Sequence, residues 1–374
     1  MVREETAKLT KMGSDNPNDY NVTNRDFQTI LSPWMQILFL GIDIVLFFTI
    51  VIGNTLVILS VALSRRLQTP TYIFVASLAG ADLFVGVVCI PVDAVMALGF
   101  FDALTSWSCL VGSSMIMAMS VCSVMHLTVI AYDRYLAITK PFEYFVKMGP
   151  KRVVAYITFA WTMAAFFGLA PIFGWNRLDN YTTPYCDLLY VQALSIRITV
   201  IVLSVFVPMN IMAYMYLSMF KVALNARRQI AAVNAAIDSI NSTNHDTNSV
   251  SGQNQRRTRL KRDLKAAKTV ALILGCFILA WTPASAITVI DIFFKDTHKL
   301  LLYELIFYKM AFSNSAMNWL IYGFRNRDFR FMFLMLTGKI FRCKCWRNQI
   351  NNANDKLSII DRPTCTVDLG PSTP

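Results

Sequence analysis

Charged residues are scarce in this chain of 374 residues. Only 16% of the residues are charged, whereas 55% are hydrophobic, and the mean hydropathy is +0.46. A soluble domain typically contains about 25% charged and about 45–50% apolar residues. The composition therefore disfavours a soluble protein and predicts membrane spans, each of which needs roughly 20 mostly apolar residues.

Histidine is equally scarce, and His126, His245 and His298 are scattered along the chain. A metalloenzyme gathers several histidine, cysteine or acidic ligands around its metal, so we expect no metal, no catalytic residues and no enzyme. The sequence also lacks an internal repeat, paired Gly- or Pro-broken spans and a polar stripe along a whole span. Such features are typical of transporters, so a transporter or channel is the less favoured class.

The first 33 residues lack the apolar core of a cleaved signal peptide. We therefore expect the first membrane span to act as the insertion signal. The net charge of +12 would favour nucleic acid in a soluble protein. In a membrane protein, Lys and Arg collect on the cytoplasmic side instead, so we expect no nucleic-acid partner.

Long apolar segments are what the sequence does contain. Seven of them, numbered here spans 1 to 7, cover about residues 35–64, 71–98, 106–137, 153–174, 190–221, 264–294 and 300–323. In lipid only a helix or a closed barrel satisfies the backbone, and these continuous runs lack the alternation of barrel strands. The predicted fold class is all-α, a seven-transmembrane helix bundle.

Basic residues mark one side of the membrane. Arg65 and Arg66 follow span 1, four basic residues lie within 140–152, and more follow spans 5 and 7. The positive-inside rule predicts a multi-pass protein with the segment at 1–34 outside and a cytoplasmic C-terminus. We expect the outer side to be extracellular and the membrane to be the plasma membrane. Asn21 and Asn180 lie in sequons on the predicted outer side and are candidate glycosylation sites.

Of eight cysteines, only Cys109 and Cys186 face the predicted outside. We predict a disulfide between them that ties the top of span 3 to the loop after span 4. In the chain-entropy model such a crosslink stabilises by roughly 4–5 kcal/mol. Cys89, Cys122 and Cys276 fall within spans, where cysteine is usually a small buried hydrophobe.

Polar residues inside spans are functional candidates, because a charge at the bilayer centre costs ~2.5–3.5 kcal/mol on insertion scales. The candidates of matching depth are Asn54, Asp82, Ser123, Asn314, Ser315 and Asn318. Two interpretations remain open for this polar core. It holds a monovalent cation such as sodium on oxygen ligands, or it is a hydrogen-bonded packing network without an ion.

The inner end of span 3 carries Asp133 and Arg134, and Asp263 opens span 6. Arg134 can pair with either acid and clamp spans 3 and 6 together. The alternative is an ordinary surface pair worth only ~0–1 kcal/mol.

Prolines predict kinks, because each removes a helical hydrogen bond. They lie inside or near the ends of spans at Pro91, Pro171, Pro208 and Pro283. Trp281 stands two residues before Pro283, where a bulky ring can couple outer binding to the swing of span 6.

These markers together resemble the rhodopsin-like, or class A, G-protein-coupled receptors, over roughly residues 35–335. Within that family, "GLAPIFGWN" at 168–176, "LQTPTYIFVASLAGADLFVG" at 67–86 and "YGFRNRDFR" at 322–330 look most like adenosine receptors, with the amine and melatonin receptors close behind. The matches are Gly53-Asn54, Asp82 in "LAGADL", Asp133-Arg134-Tyr135, Trp161, Pro208, Tyr216, "AWTP" with Trp281 and Pro283, and "NWLIY" with Asn318 and Tyr322.

The resemblance implies a receptor that binds an extracellular small or polar ligand among the outer helix halves and needs no cofactor. It also implies that span 6 swings outward while Arg134, Tyr216 and Tyr322 rearrange to admit a heterotrimeric G protein. Arrestin and a receptor kinase are further implied partners. A ligand shifts this two-state equilibrium only by its differential affinity for the two states.

The ligand-contacting positions depart from those of the nearest families. Ile116 stands where amine receptors carry Asp, and Thr288 stands where adenosine receptors carry Asn. Asp187-Leu188-Leu189 replaces their Phe and Glu, and Phe312 replaces both their His and the retinal-binding Lys of opsins. An amine held in the usual way and retinal are therefore not expected, although Lys309 lies about one helical turn from Phe312.

Charged residues also occur in the outer halves of the spans. We hypothesise that Asp43 pairs with Lys309; the alternative is that Lys309 snorkels to the surface. Asp93 and Arg197 either bind opposite ends of a polar or zwitterionic ligand or face loops and water. The full set is Asp43, Asp93, Arg197, Asp291, Glu304 and Lys309, and further pocket candidates are Ile116, Trp281, Thr288, Tyr308 and Phe312.

The parts predicted to be cytoplasmic are an inner loop, a surface helix and a tail. The Ser/Thr/Asn-rich loop at about 228–256 is predicted to be disordered. Residues 324–342 predict an amphipathic helix on the membrane lipid, and the tail is 343–374. Cys343 and Cys345 are palmitoylation candidates, with plain free thiols as the alternative.

Trp319 is the most unusual residue in span 7, because the family usually has Pro directly after Asn318. Without Pro the backbone hydrogen bond can form, and the large ring must be accommodated toward lipid or span 1. We expect an altered activation equilibrium. The alternative function is therefore a receptor-like protein with constitutive or altered signalling.

Overall fold

The computed structural model describes residues 32–97, 106–178, 191–241, 268–269, 271–290 and 297–340. The long elements in these ranges are all helices, which confirms the all-α fold class. Extended pairing in the same ranges is limited to an isolated antiparallel bridge between Asn176 and Gln192. We call the end of the bundle that holds the start of span 1 the outer end, and the opposite end the inner end.

Seven long helices within the described ranges correspond to the seven predicted spans. Span 1 is Pro33–Leu63, span 2 is Pro70–Phe84 with Ile90–Ala97, span 3 is Ser106–Thr139, span 4 is Pro150–Leu169, span 5 is Leu194–Val200 with Val207–Asn241, span 6 is described over 271–290, and span 7 is Thr297–Arg325. Two shorter helices follow spans 3 and 7. We call Pro141–Lys147 the loop helix and Arg327–Ile340 the surface helix.

Six of these helices are long and apolar enough to cross a membrane. Span 7 has 29 residues and is long enough, but it is not among the six. Its polar residues, Lys309, Asn314, Ser315 and Asn318, lower its hydropathy. Because these residues are buried, the helix can carry them through the bundle without exposing them to lipid.

Two of the predicted proline kinks appear as wide turns. Span 2 passes through a π-helical turn at Val85–Cys89 just before Pro91. Span 5 does the same at Ile201–Phe206 just before Pro208. Proline lacks an amide N–H and crowds the preceding turn, and a π turn is one way for a helix to accommodate this.

Pro171 ends a helix instead of kinking it. Span 4 stops at Leu169, so its predicted extension to 174 is wrong. Turns follow up to Gly174, whose φ of 123° suits glycine because a side chain would be strained there.

The inner loop also begins later than predicted. The helix of span 5 continues to Asn241, so the predicted loop start at about 228 is wrong. Residues 222–236 are rich in alanine, which is the strongest helix former. Residues 242–267, with the rest of the predicted loop, lie outside the described residues.

The core runs along the axis of the bundle, with its larger cluster in the inner half. Fully buried members include Leu78, Leu127, Ile130 and Phe277. Large apolar side chains such as Leu279, which is 74% exposed, point away from the bundle, where acyl chains would cover them. The bundle thus has an apolar exterior and a core that also holds polar residues.

Candidate functional site

A cavity of about 850 Å³ opens among spans 3, 5, 6 and 7. Five predicted pocket residues line it: Ile116, Arg197, Trp281, Thr288 and Tyr308. Its walls are otherwise mostly apolar and include Met117, Val121, Val124 and Phe277. Four other predicted pocket residues, Asp43, Asp93, Lys309 and Phe312, are buried elsewhere.

Three of those four form a buried ionic cluster between spans 1, 2 and 7. Lys309 Nζ lies 2.7 and 2.8 Å from the two carboxylate oxygens of Asp43. It also lies 2.7 Å from Asp93 Oδ2. Lys309 is only 5% exposed, so it does not snorkel, and its ammonium group lies 5.4 Å from the ring centroid of Phe39.

Sequence reasoning missed the contact of Asp93 with Lys309, since it expected Asp93 either to bind a ligand or to face loops and water. A signal was present. Asp93 follows Asp82 by eleven residues, which is about three turns of a helix with 3.6 residues per turn. The two acids therefore share a face, and both are buried within the bundle.

The predicted polar core assembles around Asp82. Asn318 Nδ2 donates to Asp82 Oδ2 at 2.8 Å, and Asn54 Nδ2 donates to the Ser315 carbonyl at 3.1 Å. Several buried oxygens have no hydrogen-bond partner among the described residues. They are Asn54 Oδ1, Asp82 Oδ1, Ser123 Oγ, Asn314 Oδ1 and Asn318 Oδ1.

The inner end of span 3 carries a second charge cluster. Arg134 Nε donates to Asp133 Oδ2 at 2.8 Å, and Arg134 Nη2 contacts the same oxygen at 2.6 Å. Asp133 is fully buried and the Arg134 side chain is 11% exposed. This burial argues against an ordinary surface pair, and Asp263, the other predicted partner, lies outside the described residues.

Two further residues hold Asp133 and were not predicted. The Thr71 hydroxyl donates to Asp133 Oδ2 at 2.6 Å and also contacts Arg134 Nη2. The Tyr144 hydroxyl of the loop helix donates to Asp133 Oδ1 at 3.0 Å. Burial, with the nearby Asp133 charge, raises the pKa of Tyr144 to about 12, so the phenol stays protonated at neutral pH and remains a donor.

The two tyrosines expected to act as switches are both in the bundle. Tyr322 is 5% exposed, and its ring packs against Phe329 of the surface helix with the centroids 5.5 Å apart and the planes tilted by 32°. The hydroxyls of Tyr216 and Tyr322 are buried and without a hydrogen-bond partner among the described residues.

Comparison with known proteins settles the family. The family described as 7 transmembrane receptor (rhodopsin family) matches residues 53–322. This chain belongs to the rhodopsin family of seven-transmembrane receptors. The receptor is similar to adenosine receptor A2b of Rattus norvegicus, with 30% identity, and of Mus musculus, with 31% identity. Each alignment spans 328 residues, 82% of this chain and 92% of the relative.

Trp319, where the family usually has Pro, turns toward span 1 of the receptor and not toward lipid. A Cβ atom added to Gly53 would lie 2.1 Å from Trp319 Cδ1. The indole also lies 6.3 Å from the ring centroid of Phe333 in the surface helix. Glycine at position 53 therefore makes room for the ring.

The predicted disulfide is described at one end only. Cys109 of the receptor is disulfide-bonded, and its predicted partner lies outside the described residues. Cys89 and Cys122 are free and buried, in agreement with their interpretation as small buried hydrophobes, whereas Cys276 is free and only partly buried. The predicted sites outside the described residues are Asn21, Asn180, Cys186, Asp263, Asp291, Cys343 and Cys345, and the side chain of Glu304 is also not described.

Proposed function

We propose that this receptor binds an extracellular small ligand in the cavity of about 850 Å³ and activates a heterotrimeric G protein at its inner end. The observation that carries the proposal is the cavity itself, which opens at the position where the family resemblance expects a ligand. A ligand site is typically concave and mostly apolar with a few polar groups. The lining of this cavity has that character.

Trp281 and Phe277 connect the cavity to the inner half. Both line the cavity, and their rings stack with centroids 5.9 Å apart. Phe277 also belongs to the large inner core cluster. A ligand that displaces the Trp281 ring would therefore disturb packing in the half of span 6 that must swing.

The charge cluster around Asp133 is the restraint that activation must release. Arg134 is held by Asp133, which Thr71 and Tyr144 also bind. In this arrangement the guanidinium group is directed into the cluster and away from a partner protein. Activation frees Arg134 for the G protein, and the buried Tyr216 and Tyr322 hydroxyls join the new contacts.

The polar core suits a sodium ion. A monovalent cation prefers oxygen ligands, and the core offers the Asp82 carboxylate beside buried oxygens that have no other partner among the described residues. Buried polar groups are normally hydrogen-bonded, so these oxygens favour an occupant. We assign the sodium site to Asp82, Asn54, Ser123, Asn314, Ser315 and Asn318.

The orientation in the membrane is inferred from the distribution of basic residues. We infer that the N-terminus is extracellular and the C-terminus cytoplasmic, which puts Asn21 and Asn180 where glycans are added. The surface helix would lie on the lipid, with Cys343 and Cys345 as palmitoylation sites after it. Arrestin and a receptor kinase would bind the same inner surface as the G protein.

Ligand-independent signalling is a second candidate function, and the contact of Trp319 with Gly53 favours it. The Trp319 side chain contacts span 1 and the surface helix. That contact sets the position of the inner end of span 7 by packing and not by a proline kink. The resting equilibrium can therefore lie nearer the active state without a ligand.

The test is G-protein activation in transfected cells without added ligand, followed by a broad panel that includes adenosine. Wild type should activate above mock-transfected cells, alone or with a panel ligand. Arg134→Ala should abolish that signal at matched surface expression. Arg66→Ala, which removes an exposed basic residue at the inner end, is the matched control and should signal normally. Activation that is equal in wild type and Arg134→Ala would overturn the proposal.

A further inference from the structure

We propose that the ligand of the cavity is an amphiphilic anion. Its acidic group binds Arg197 at the outer end, and a hydrogen-bond acceptor at its far end binds Ser204 and Trp281. This inference rests on the proposed function in taking the cavity as the ligand site, and it names the chemical class of that ligand.

The first step is the charge of the lining. Arg197 is the one charged side chain among the described residues that line the cavity, and it is only 6% exposed. Among the outer-half acids whose side chains the structure describes, Asp43 and Asp93 are both within hydrogen-bond distance of Lys309. They are not part of the cavity lining, so they do not offer a counter-charge to a cationic ligand.

The cationic side chain is suited to a carboxylate. A guanidinium group carries five N–H donors in a planar fork and binds carboxylates in a bidentate manner. Arg197 can therefore keep contacts within the protein and still donate to a ligand. Gln192 and Thr288, which line the same cavity, add polar character at this end.

The second step is a pair of hydrogen-bond donors on the lining. Ser204 Oγ and Trp281 Nε1 are both buried, and neither has a hydrogen-bond partner among the described residues. Buried donors without a partner cost free energy. An acceptor oxygen on a ligand would satisfy one or both, which an entirely apolar tail would not do.

The third step is the distance between the two ends. Ser204 follows Arg197 by seven residues on span 5, or roughly 10 Å at an α-helical rise of ~1.5 Å per residue, and somewhat less because the π-helical turn at Ile201–Phe206 is wider. The rest of the wall is mostly apolar, with Met117, Val121 and Val200 among its residues. The ligand is thus an acid and an acceptor oxygen separated by an apolar body of about that length.

The probes are 10-hydroxydecanoate, decanoate and 1,10-decanediol, added to purified receptor in nanodiscs. The readout is the shift of the thermal unfolding midpoint with probe concentration. Wild type should bind 10-hydroxydecanoate most tightly, decanoate more weakly and the neutral diol weakest. Equal binding of the diol and the hydroxy acid would overturn the inference, because the charge would then contribute nothing.

Variants locate the two ends. Arg197→Gln should weaken the hydroxy acid by about 10- to 100-fold, as expected for a hydrogen bond to a charged group, and leave the diol unchanged. Arg197→Lys keeps the charge but loses the planar set of guanidinium donors. Its affinity for the hydroxy acid should therefore lie between those of wild type and Arg197→Gln. If Arg197→Gln does not fold without ligand, the test rests on Arg197→Lys. In whichever variant folds, an unchanged affinity for the hydroxy acid would overturn the assignment of Arg197 to the acidic group.

Ser204→Ala should weaken the hydroxy acid by about 2- to 10-fold and leave decanoate unchanged. Ser120→Ala is the matched control, because Ser120 lines the same cavity but already donates to the Ile116 carbonyl at 2.7 Å. Equal effects of the two serine variants would overturn the role of Ser204. This binding assay needs no G protein. If the anion proposal is wrong, the probes fail to bind as expected while Arg134-dependent signalling persists. If the proposed function is wrong, that signalling is absent while the probes still bind.

Discussion

The Trp319 indole occupies the space in which any side chain on Gly53 would have to lie. A Cβ atom on Gly53 would come within 2.1 Å of the ring, well inside van der Waals contact. Span 7, span 1 and the surface helix meet at this point through Trp319, Gly53 and Phe333. The large residue on one helix is therefore matched by the absence of a side chain on the other.

Gly53→Ala should destabilise the receptor, because overpacking a close contact costs typically ~1–3 kcal/mol. The measurement is the thermal unfolding midpoint of purified receptor. Gly41→Ala is the matched control on the same helix, since nothing lies within 4 Å of a Cβ added there. The double variant Gly53→Ala with Trp319→Ala should lose less stability than the sum of the two single variants. Strict additivity would contradict the contact.

Trp319→Pro should change ligand-independent signalling. Proline removes a backbone hydrogen bond and kinks the helix, and it also vacates the space above Gly53. The measurement is basal G-protein activation at equal surface expression, together with the dose response to any panel ligand. An unchanged basal level and dose response would count against a switching role for Trp319.

Lys309→Met should strongly destabilise the receptor, because it leaves Asp43 and Asp93 buried together without a cation. Breaking a buried ion pair typically costs ~3–5 kcal/mol. The triple variant Asp43→Asn, Asp93→Asn and Lys309→Met should recover most of that loss, as should the reciprocal exchange of Asp43 and Lys309. Thermal stability and surface expression are the readouts.

Lys147→Met is the control for that series. Lys147 pairs with Glu143 at 2.6 Å, but both side chains are more than one third exposed, and solvent screens such surface pairs so that they contribute little to stability. If Lys309→Met were as mild as Lys147→Met, the cluster would have no structural role.

Tyr144→Phe should raise basal signalling. The variant deletes the 3.0 Å hydrogen bond to the Asp133 carboxylate, and a hydrogen bond to a charged group contributes ~1.5–3 kcal/mol. If that bond exists only in the resting state, its loss favours the active state by roughly 10- to 150-fold. Phe142→Leu, at a 94% exposed position of the same loop helix, should have no effect. A fall in basal activity would show that Tyr144 supports the active state instead.

Sodium should stabilise the purified receptor, relative to the same concentration of a bulky organic cation. A ligand that binds only the folded state raises its stability. Asp82→Asn should remove the sodium dependence. Ser313→Ala, whose hydroxyl donates to the Met310 carbonyl at 2.6 Å, should retain it. A sodium effect that survives Asp82→Asn would place the ion elsewhere.

Much of the fold was predictable because lipid imposes simple rules. A span must be long, apolar and helical, so seven spans could be counted from the sequence. The errors fall where local signals compete. Pro171 ended span 4 early, and the alanine-rich segment carried span 5 to Asn241.

The candidate site was predictable in part. Burial cost marks intramembrane charges as functional candidates, so Asp43, Asp82 and Lys309 were found, and the pairing of Asp43 with Lys309 was hypothesised. Other contacts could not be predicted from the sequence. Asp93 was expected to bind a ligand or to face loops and water, and Tyr144 was not considered at all, because its contact with Asp133 depends on how the loop helix packs under span 3.

The sequence by itself determined how many times the chain crosses the membrane, which family it belongs to and which polar residues must avoid lipid. Only the tertiary structure decided that Lys309 pairs with two carboxylates, that Arg197 lines the cavity and that Trp319 packs on Gly53. The physical reason is that helical periodicity sets the depth and face of each residue. The rotation and spacing of neighbouring helices, which choose its partners, come from the packing of the whole bundle.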